Sequence, residues 1–285
     1  MSYLLLLISI AFGTGKNIVS KLGGDYFSNT RDCMKLNAVT SVLACFVFGI
    51  AAKGAIFGRT EPVFFVMAFL YGLCTLCSQV FYIAAVQDGA VSVCALIYSC
   101  GFIMPTIFAG VFFKEHVTGF KILGIALLIV CTAVAGYKKE KTQSYHWVLP
   151  ACLAMTGSGV VGILQKLVRN VYPQWNMNEY LLYSFGFMLL LSLAGGFLNK
   201  GQSAKFCRKY ALCTVLLSVC VVGVNQLNLY LSGVIPGVIF FPCVNGGCLV
   251  MSAVMSGLIF RERFEMKKIL AIAGSVLAIL LVSVG

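Results

Sequence analysis

Lys16 and Asn17 stand side by side within an apolar run that begins at Tyr3. With Ser9, Gly13 and Ser20 they recur at i, i+4, i+7, i+8 and i+11, which is one face of a helix. An ammonium there has two readings. Either it anchors an anionic group such as a carboxylate or phosphate, or it snorkels along its own stem to the nearer interface, about one and a half turns away. The third apolar run carries a second stripe, Thr75, Ser78, Gln79 and Tyr82, and the eighth run answers with Asn225, Gln226, Asn228 and Tyr230. Such amides and hydroxyls either meet a ligand or tie helices together, the latter at about 0.6 kcal/mol per bond. The ligand reading is favoured for Asn225 and Gln226, and the packing reading for Thr75 and Ser78. Tyr98 and Ser99 precede Pro105, while Pro242 and Asn245 precede Gly246-Gly247. A proline frees a backbone carbonyl, and polar residues beside such a break line cavities in membrane proteins. The glycine pair instead reads as close helix packing. With Gln165 of the sixth run, the candidate ligand-binding set is Lys16, Asn17, Gln79, Tyr98, Gln165, Asn225, Gln226 and Asn245.

Other chemistries find no support. Glu115 and Glu262 invite proton coupling, but each sits at a helix end beside a cation, Lys114 or Arg261, and reads as a corner salt bridge or an interfacial charge. Asn178 and Glu179, at the start of a run, read as interfacial. Cys74 and Cys77 match C-x-x-C inside an apolar helix, without a folded redox context. The other cysteines, among 13, lie almost all in apolar runs, where a thiol is a small hydrophobe. Zinc wants four ligands, and the only two histidines, His116 and His146, are far apart in loops. No H-E-x-x-H or paired-aspartate constellation lies in a span, so neither metal, cofactor nor enzyme is expected.

The elements that must position these residues follow from composition. Of 285 residues, 60% are hydrophobic and 11% charged, less than half the roughly 25% charged share of a soluble domain. So much apolar surface cannot hide in a globular core, and the expected solvent is lipid. The net charge of +12 sits mainly in short connections, where orientation signals lie, and does not indicate nucleic acid. Ten spans are expected, at 3–22, 33–52, 63–86, 90–113, 118–137, 147–168, 177–198, 210–232, 237–260 and 266–284. The first reads as a span and not a signal peptide, having no basic leader and no small-residue cleavage site.

A gap-free offset of 147 residues carries Gln79 onto Gln226, Met104 onto Met251, Phe113-Lys114-Glu115 onto Phe260-Arg261-Glu262, and Lys121-Ile122-Leu123 onto Lys268-Ile269-Leu270. One half of the chain reads as a copy of the other, with five-helix units at 1–137 and 147–285 and a polar join at 138–146. An odd number of spans per copy inverts the second relative to the first. The expected fold is therefore an all-α polytopic membrane protein of ten transmembrane helices in two inverted five-helix repeats. Most Lys and Arg, from Lys21 to Lys268, gather on one side. Only Lys53, Arg59, Lys114, Lys121, Lys166 and Arg169 fall on the other, which places both termini outside.

The duplicated unit, the Phe-x-Glu corner after the fourth span of each half, and the glycine-rich first helix ending in Lys resemble the drug/metabolite transporter superfamily, specifically its EamA-type ten-helix members. That first helix is Gly13-Thr14-Gly15-Lys16-Asn17…Lys21, echoed by Gly157-Ser158-Gly159…Lys166. The resemblance covers the whole chain and implies a carrier whose cavity is lined by spans one, three, four, six, eight and nine. It also implies a multi-pass protein of a prokaryotic plasma membrane, and efflux as the commoner direction. The chain departs from the small multidrug-resistance branch, whose first helix carries a membrane-embedded glutamate, because Lys16 and Asn17 stand there instead. The expected partners are a small polar or amphipathic metabolite such as an amino acid, and the lipid bilayer. A coupling proton or ion, and a monomer or homodimer, stay open. The alternative is a lipid-headgroup flippase or flippase subunit.

Overall fold

The computed structural model describes residues 2–23, 30–52, 61–88, 91–136, 146–198, 208–260 and 266–284. Arg261, Glu262 and residues 138–145 of the polar join lie outside them. All regular structure among the described residues is helical: α1 (Ser2–Leu22), α2 (Thr30–Ala51), α3 (Pro62–Asp88), α4 (Val91–Ser99), a 3₁₀ turn (Cys100–Phe102), α5 (Ile103–Phe112), α6 (Gly119–Gly136), α7 (Val148–Val171), α8 (Met177–Leu198), α9 (Arg208–Ser232), α10 (Gly237–Phe260) and α11 (Met266–Val284). By length and composition, eight helical stretches can cross a membrane, α4 to α5 counting as one; α6 and α11 are apolar but carry shorter qualifying stretches. Their outward faces are apolar, with Leu4, Phe46, Val111, Phe120, Leu190 and Phe197 all exposed. Their inward faces hold buried hydroxyls such as Ser9, Thr40, Ser184 and Ser218. Apolar outside and polar inside is the distribution lipid imposes, because it cannot satisfy a hydroxyl. The architecture is that of a polytopic α-helical membrane protein.

The helices exchange partners between the two halves. α1 packs on α9 and α10, while α7 packs on α3 and on the α4–α5 unit; α2 meets α8, and α6 meets α11. Glycines set these distances. A methyl on Gly72 would strike the backbone of Ser184, and one on Gly124 would lie 2.8 Å from the Ala278 carbonyl, so the α3–α8 and α6–α11 backbones approach as only glycine permits. Gly246 and Gly247 pack on Ile279 and Ile10, which accounts for the pair as contact residues. Pairings along the helices fix their directions. Moving from Ile10 through Gly13 to Asn17, the partners rise from Gly247 through Cys248 to Ser252, so α1 and α10 run parallel. Gly162 meets Phe241 while Lys166 meets Gly237, so α7 runs against α10, and hence against α1.

At the end where α1 begins, the connection between α7 and α8 is short and tied down. Trp175, stacked on Tyr172 with centroids 4.0 Å apart, donates its indole N–H to Glu61 at 2.9 Å. Glu179, read from the sequence as interfacial, is 2% exposed within α8. Its neighbour Asn178 is exposed enough to meet that reading but donates to the Ala51 carbonyl. At the corner after α5, Lys114 takes φ 49°, the left-handed conformation that ends a helix. A non-glycine residue held there costs roughly 1–2 kcal/mol. The turn sends Glu115 inward rather than toward Lys114.

Candidate functional site

The fourth apolar run is not one continuous helix. A 3₁₀ turn at Cys100–Phe102 separates α4 from α5. Pro105 has no N–H for the Gly101 carbonyl four residues back, and its ring crowds that carbonyl, so the ladder loosens here. Beside it, the Thr106 hydroxyl donates to the Phe102 carbonyl at 2.7 Å. In α10, Pro242 removes the corresponding partner of the Val238 carbonyl. Asn245 donates to the Phe241 carbonyl at 2.9 Å just beyond that break.

The broken α4–α5 unit and the proline-bearing α10, with α1, α3, α7 and α9, enclose a cavity of about 250 Å³. They are the first, third, fourth, sixth, eighth and ninth apolar runs of the sequence. α1 contributes Gly13, Lys16 and Asn17; α3 contributes Thr75, Ser78 and Gln79; α4 contributes Tyr98 and Ser99. From the second half come Ser158 and Gln165 of α7, Asn225 and Asn228 of α9, and Asn245 and Cys248 of α10. Apolar wall is supplied by Phe102, Val161, Val224, Phe241, Val244 and Leu249. Hydroxyls and amides beside aromatic and aliphatic surface suit a polar or amphipathic guest.

Small residues on α7 bring this wall together. A Cβ on Gly157 would sit 3.0 Å from Ser78, and one on Gly162 would sit 2.8 Å from the Pro105 ring. The close approach lets Gln165, 5% exposed, reach across to α3, where its amide donates to the Tyr71 hydroxyl at 2.9 Å. Tyr71 in turn donates to the Asn225 side-chain carbonyl, and the Asn225 amide donates to the Val221 carbonyl at 2.8 Å. Three helices thus meet through one buried tyrosine. On the other flank Ser9 donates to Asn228 at 2.6 Å, and the Asn17 amide donates to Ser252 at 3.0 Å. Tyr98 lies against Tyr82, with ring centroids 5.1 Å apart.

Seven of the eight candidates from the sequence, Lys16, Asn17, Gln79, Tyr98, Gln165, Asn225 and Asn245, line this cavity. Gln226 is not among the lining residues; its amide donates to Asn178 at 2.8 Å, joining α9 to α8. Thr75 and Ser78 line the wall, but both hydroxyls donate within their own helix, to Tyr71 and Thr75 carbonyls at 2.7 and 2.9 Å. Tyr71 escaped the sequence reading because a tyrosine in an aromatic-rich run carries no periodic polar signal. Asn228 and Ser158 were visible as polar residues on stripes and in the glycine echo.

Two lysines on these helices differ in their surroundings. Lys166, 4% exposed on α7, lies 2.7 Å from a Glu115 oxygen. It also donates to the Ile235 carbonyl at 3.4 Å and sits 5.8 Å from the centre of the Phe113 ring. The second Glu115 oxygen accepts the Val238 N–H at 2.9 Å, at the start of α10, where the helix dipole favours an anion. The expected corner pairing with Lys114 therefore gives way to a bond between elements. Burial alone would raise the Glu115 pKa, but the Lys166 ammonium and the Gly237 and Val238 amides outweigh it and hold the carboxyl below its usual range. Lys16 is different. Among the described residues it has no hydrogen-bond acceptor and no carboxylate partner. Among the described residues no group of three His, Cys, Asp or Glu side chains gathers to hold a metal.

No protein-family model matches the chain, and no curated protein does. A solved crystal structure is similar over 99% of this chain and 96% of its own, with a TM-score of 0.74 at 13% identity. At that identity the likeness shows a shared fold, end to end.

Proposed function

We propose that the chain is a secondary transmembrane transporter, and an exporter by direction, of a small polar or amphipathic metabolite such as an amino acid. It works by alternating access between two inverted five-helix repeats. The observation that carries the reading is the polar cavity between the halves, lined by the same three positions in each: the first, third and fourth spans of five. The exchanged packing of α1 on α9 and α7 on α3, and the opposite directions of α1 and α7, support the inversion. In carriers built this way the substrate site lies near the midplane between repeats, beside interrupted helices. The broken α4–α5 unit and the proline-bearing α10 occupy that place. This is the plan of the EamA-type members of the drug/metabolite transporter superfamily, to which we assign the chain, in a prokaryotic plasma membrane.

Under this reading the end carrying Glu115 and Lys166 is closed, since three elements are zipped there by the ion pair and by Gly237 against Ala109. The experiment is reconstitution into liposomes with counterflow of a radiolabelled metabolite panel. Saturable, competed flux above protein-free vesicles is the expected result. Flux that appears only with labelled phospholipid would replace the carrier with a flippase, and uniform unsaturable leak would replace it with a pore.

A further inference from the structure

We infer that the cavity selects a net organic anion, held through Lys16, and rejects cations. The inference rests on the carrier reading and narrows its substrate class. Lys16 is the one charged side chain among the described lining residues, and no carboxylate lines the wall with it. The second cation facing the same helices, Lys166, is already neutralised by Glu115 at 2.7 Å. The fold therefore matches one lysine with an acid and leaves the other without one, on the cavity side. In a site walled by low-dielectric helices a single unmatched ammonium sets the sign of the potential, because field lines are focused into the cleft.

The remaining polar wall is neutral and graded along the axis. Lys16 stands at the level of Cys248 to Ser252 on α10, whereas Gln165, between the Gly162–Phe241 and Lys166–Gly237 pairings, stands near Val238. At 1.5 Å rise per residue that is roughly 15–20 Å. One end of the cavity supplies charge, and the other supplies amides and hydroxyls from Gln165, Asn225 and Asn245. A carboxylate, sulfonate or phosphate monoester with a neutral hydrogen-bonding body fits both ends. A cationic guest would meet only neutral acceptors and the repulsion of Lys16. The anion is the headgroup of a lipid or a free metabolite.

Cys248 reports the potential, because it lines the cavity against Gly13, about one helical turn from Lys16 on the facing helix. The protein in proteoliposomes is treated in parallel with 2-sulfonatoethyl methanethiosulfonate, an anion, and 2-(trimethylammonium)ethyl methanethiosulfonate, a cation. The Cys248 thiolate attacks the sulfenyl sulfur of the reagent, a mixed disulfide forms, and methanesulfinate leaves. Modification of Cys248 is followed by peptide mass spectrometry. Taking the ratio of the two rates cancels any change in thiol reactivity itself. The ratio is expected to favour the anion by about tenfold. It should fall toward one in Lys16→Gln, persist in Lys16→Arg, and shrink in wild type as salt rises. A ratio unchanged by Lys16→Gln and by salt, or one favouring the cation, would overturn the inference while leaving transport of neutral or cationic metabolites possible. Failure of both reagents to reach Cys248 would remove the wet cavity, and with it the carrier reading too. Millimolar gluconate or phenylacetate should slow Cys248 modification if the guest is soluble, and phosphatidylglycerol vesicles alone should do so if it is a lipid headgroup. Protection by none of the three sinks the proposal.

Discussion

Replacing Glu115 by Gln keeps the shape of the corner and removes its charge. The Lys166 ammonium would then stay 4% exposed with the Ile235 carbonyl at 3.4 Å and the Phe113 ring as its remaining company. Removing one member of a buried ion pair costs about 3–5 kcal/mol, because the other charge is left without compensation. The Gln carbonyl still accepts from Val238, which places the expected loss at the low end, about 3 kcal/mol. For a chain of this size that is roughly 6–12 °C in apparent Tm. Lys166→Met should cost less, since Glu115 is 13% exposed and can turn toward water. The double variant Glu115→Gln/Lys166→Met should recover about 2 kcal/mol relative to the sum of the singles. The assay is thermal unfolding of the detergent-solubilised protein, each variant compared at one protein and detergent concentration. Additive losses in the double variant would refute the pairing as the source of the effect, and a Tm unchanged in Glu115→Gln would refute it outright.

Further outcomes follow from the same geometry. Because the folded-state pKa of Glu115 lies below its unfolded value, its contribution is complete above the unfolded pKa of about 4.3 and is lost as pH falls through the folded value. Tm profiles of wild type and Glu115→Gln should thus run parallel from pH 6 to 8, and converge only in acid. Tyr71→Phe leaves the Gln165 amide and the Asn225 carbonyl without their shared hydroxyl, and should lower stability by about 1–3 kcal/mol in the same assay. The two glutamines related by the 147-residue offset should separate. Gln79→Ala, on the cavity wall, should weaken the proposed flux with little change in Tm, whereas Gln226→Ala, which breaks a bond to Asn178, should lower stability by about 1 kcal/mol and spare flux.

Some of this was legible before any coordinates. The helical class follows from composition, since long uniformly apolar runs have no other solution in lipid. The polar stripes on α1 and α3 were readable because a helix presents one face every 3.6 residues, and Lys16, Asn17 and Gln79 from those stripes sit around one cavity. What sequence periodicity does not encode is the partner of a residue. Gln79 and Gln226 are equivalent under the 147-residue offset, yet the first lines the cavity and the second turns to α8. A shared sequence offset does not carry side-chain company with it, because the neighbours that decide company differ between α3 and α9.

The Phe-x-Glu corner shows the same limit from the opposite direction. Read locally, Glu115 has Lys114 beside it, and an interfacial salt bridge is the economical reading. The left-handed turn at Lys114 points the two side chains apart, and Glu115 instead binds Lys166 and caps α10. That outcome bears on Lys16. Lys16 and Lys166 both stand on helices that wall the cavity, and a carboxylate among the described residues reaches only Lys166. An ammonium with no acid beside it lowers stability only as far as its desolvation is uncompensated, and an anion supplied from outside removes that cost. If Lys16→Met raises Tm while abolishing the anion preference at Cys248, that trade will be visible in one variant. If it lowers Tm and leaves the preference intact, Lys16 is a structural cation and the charge that guards the cavity lies elsewhere.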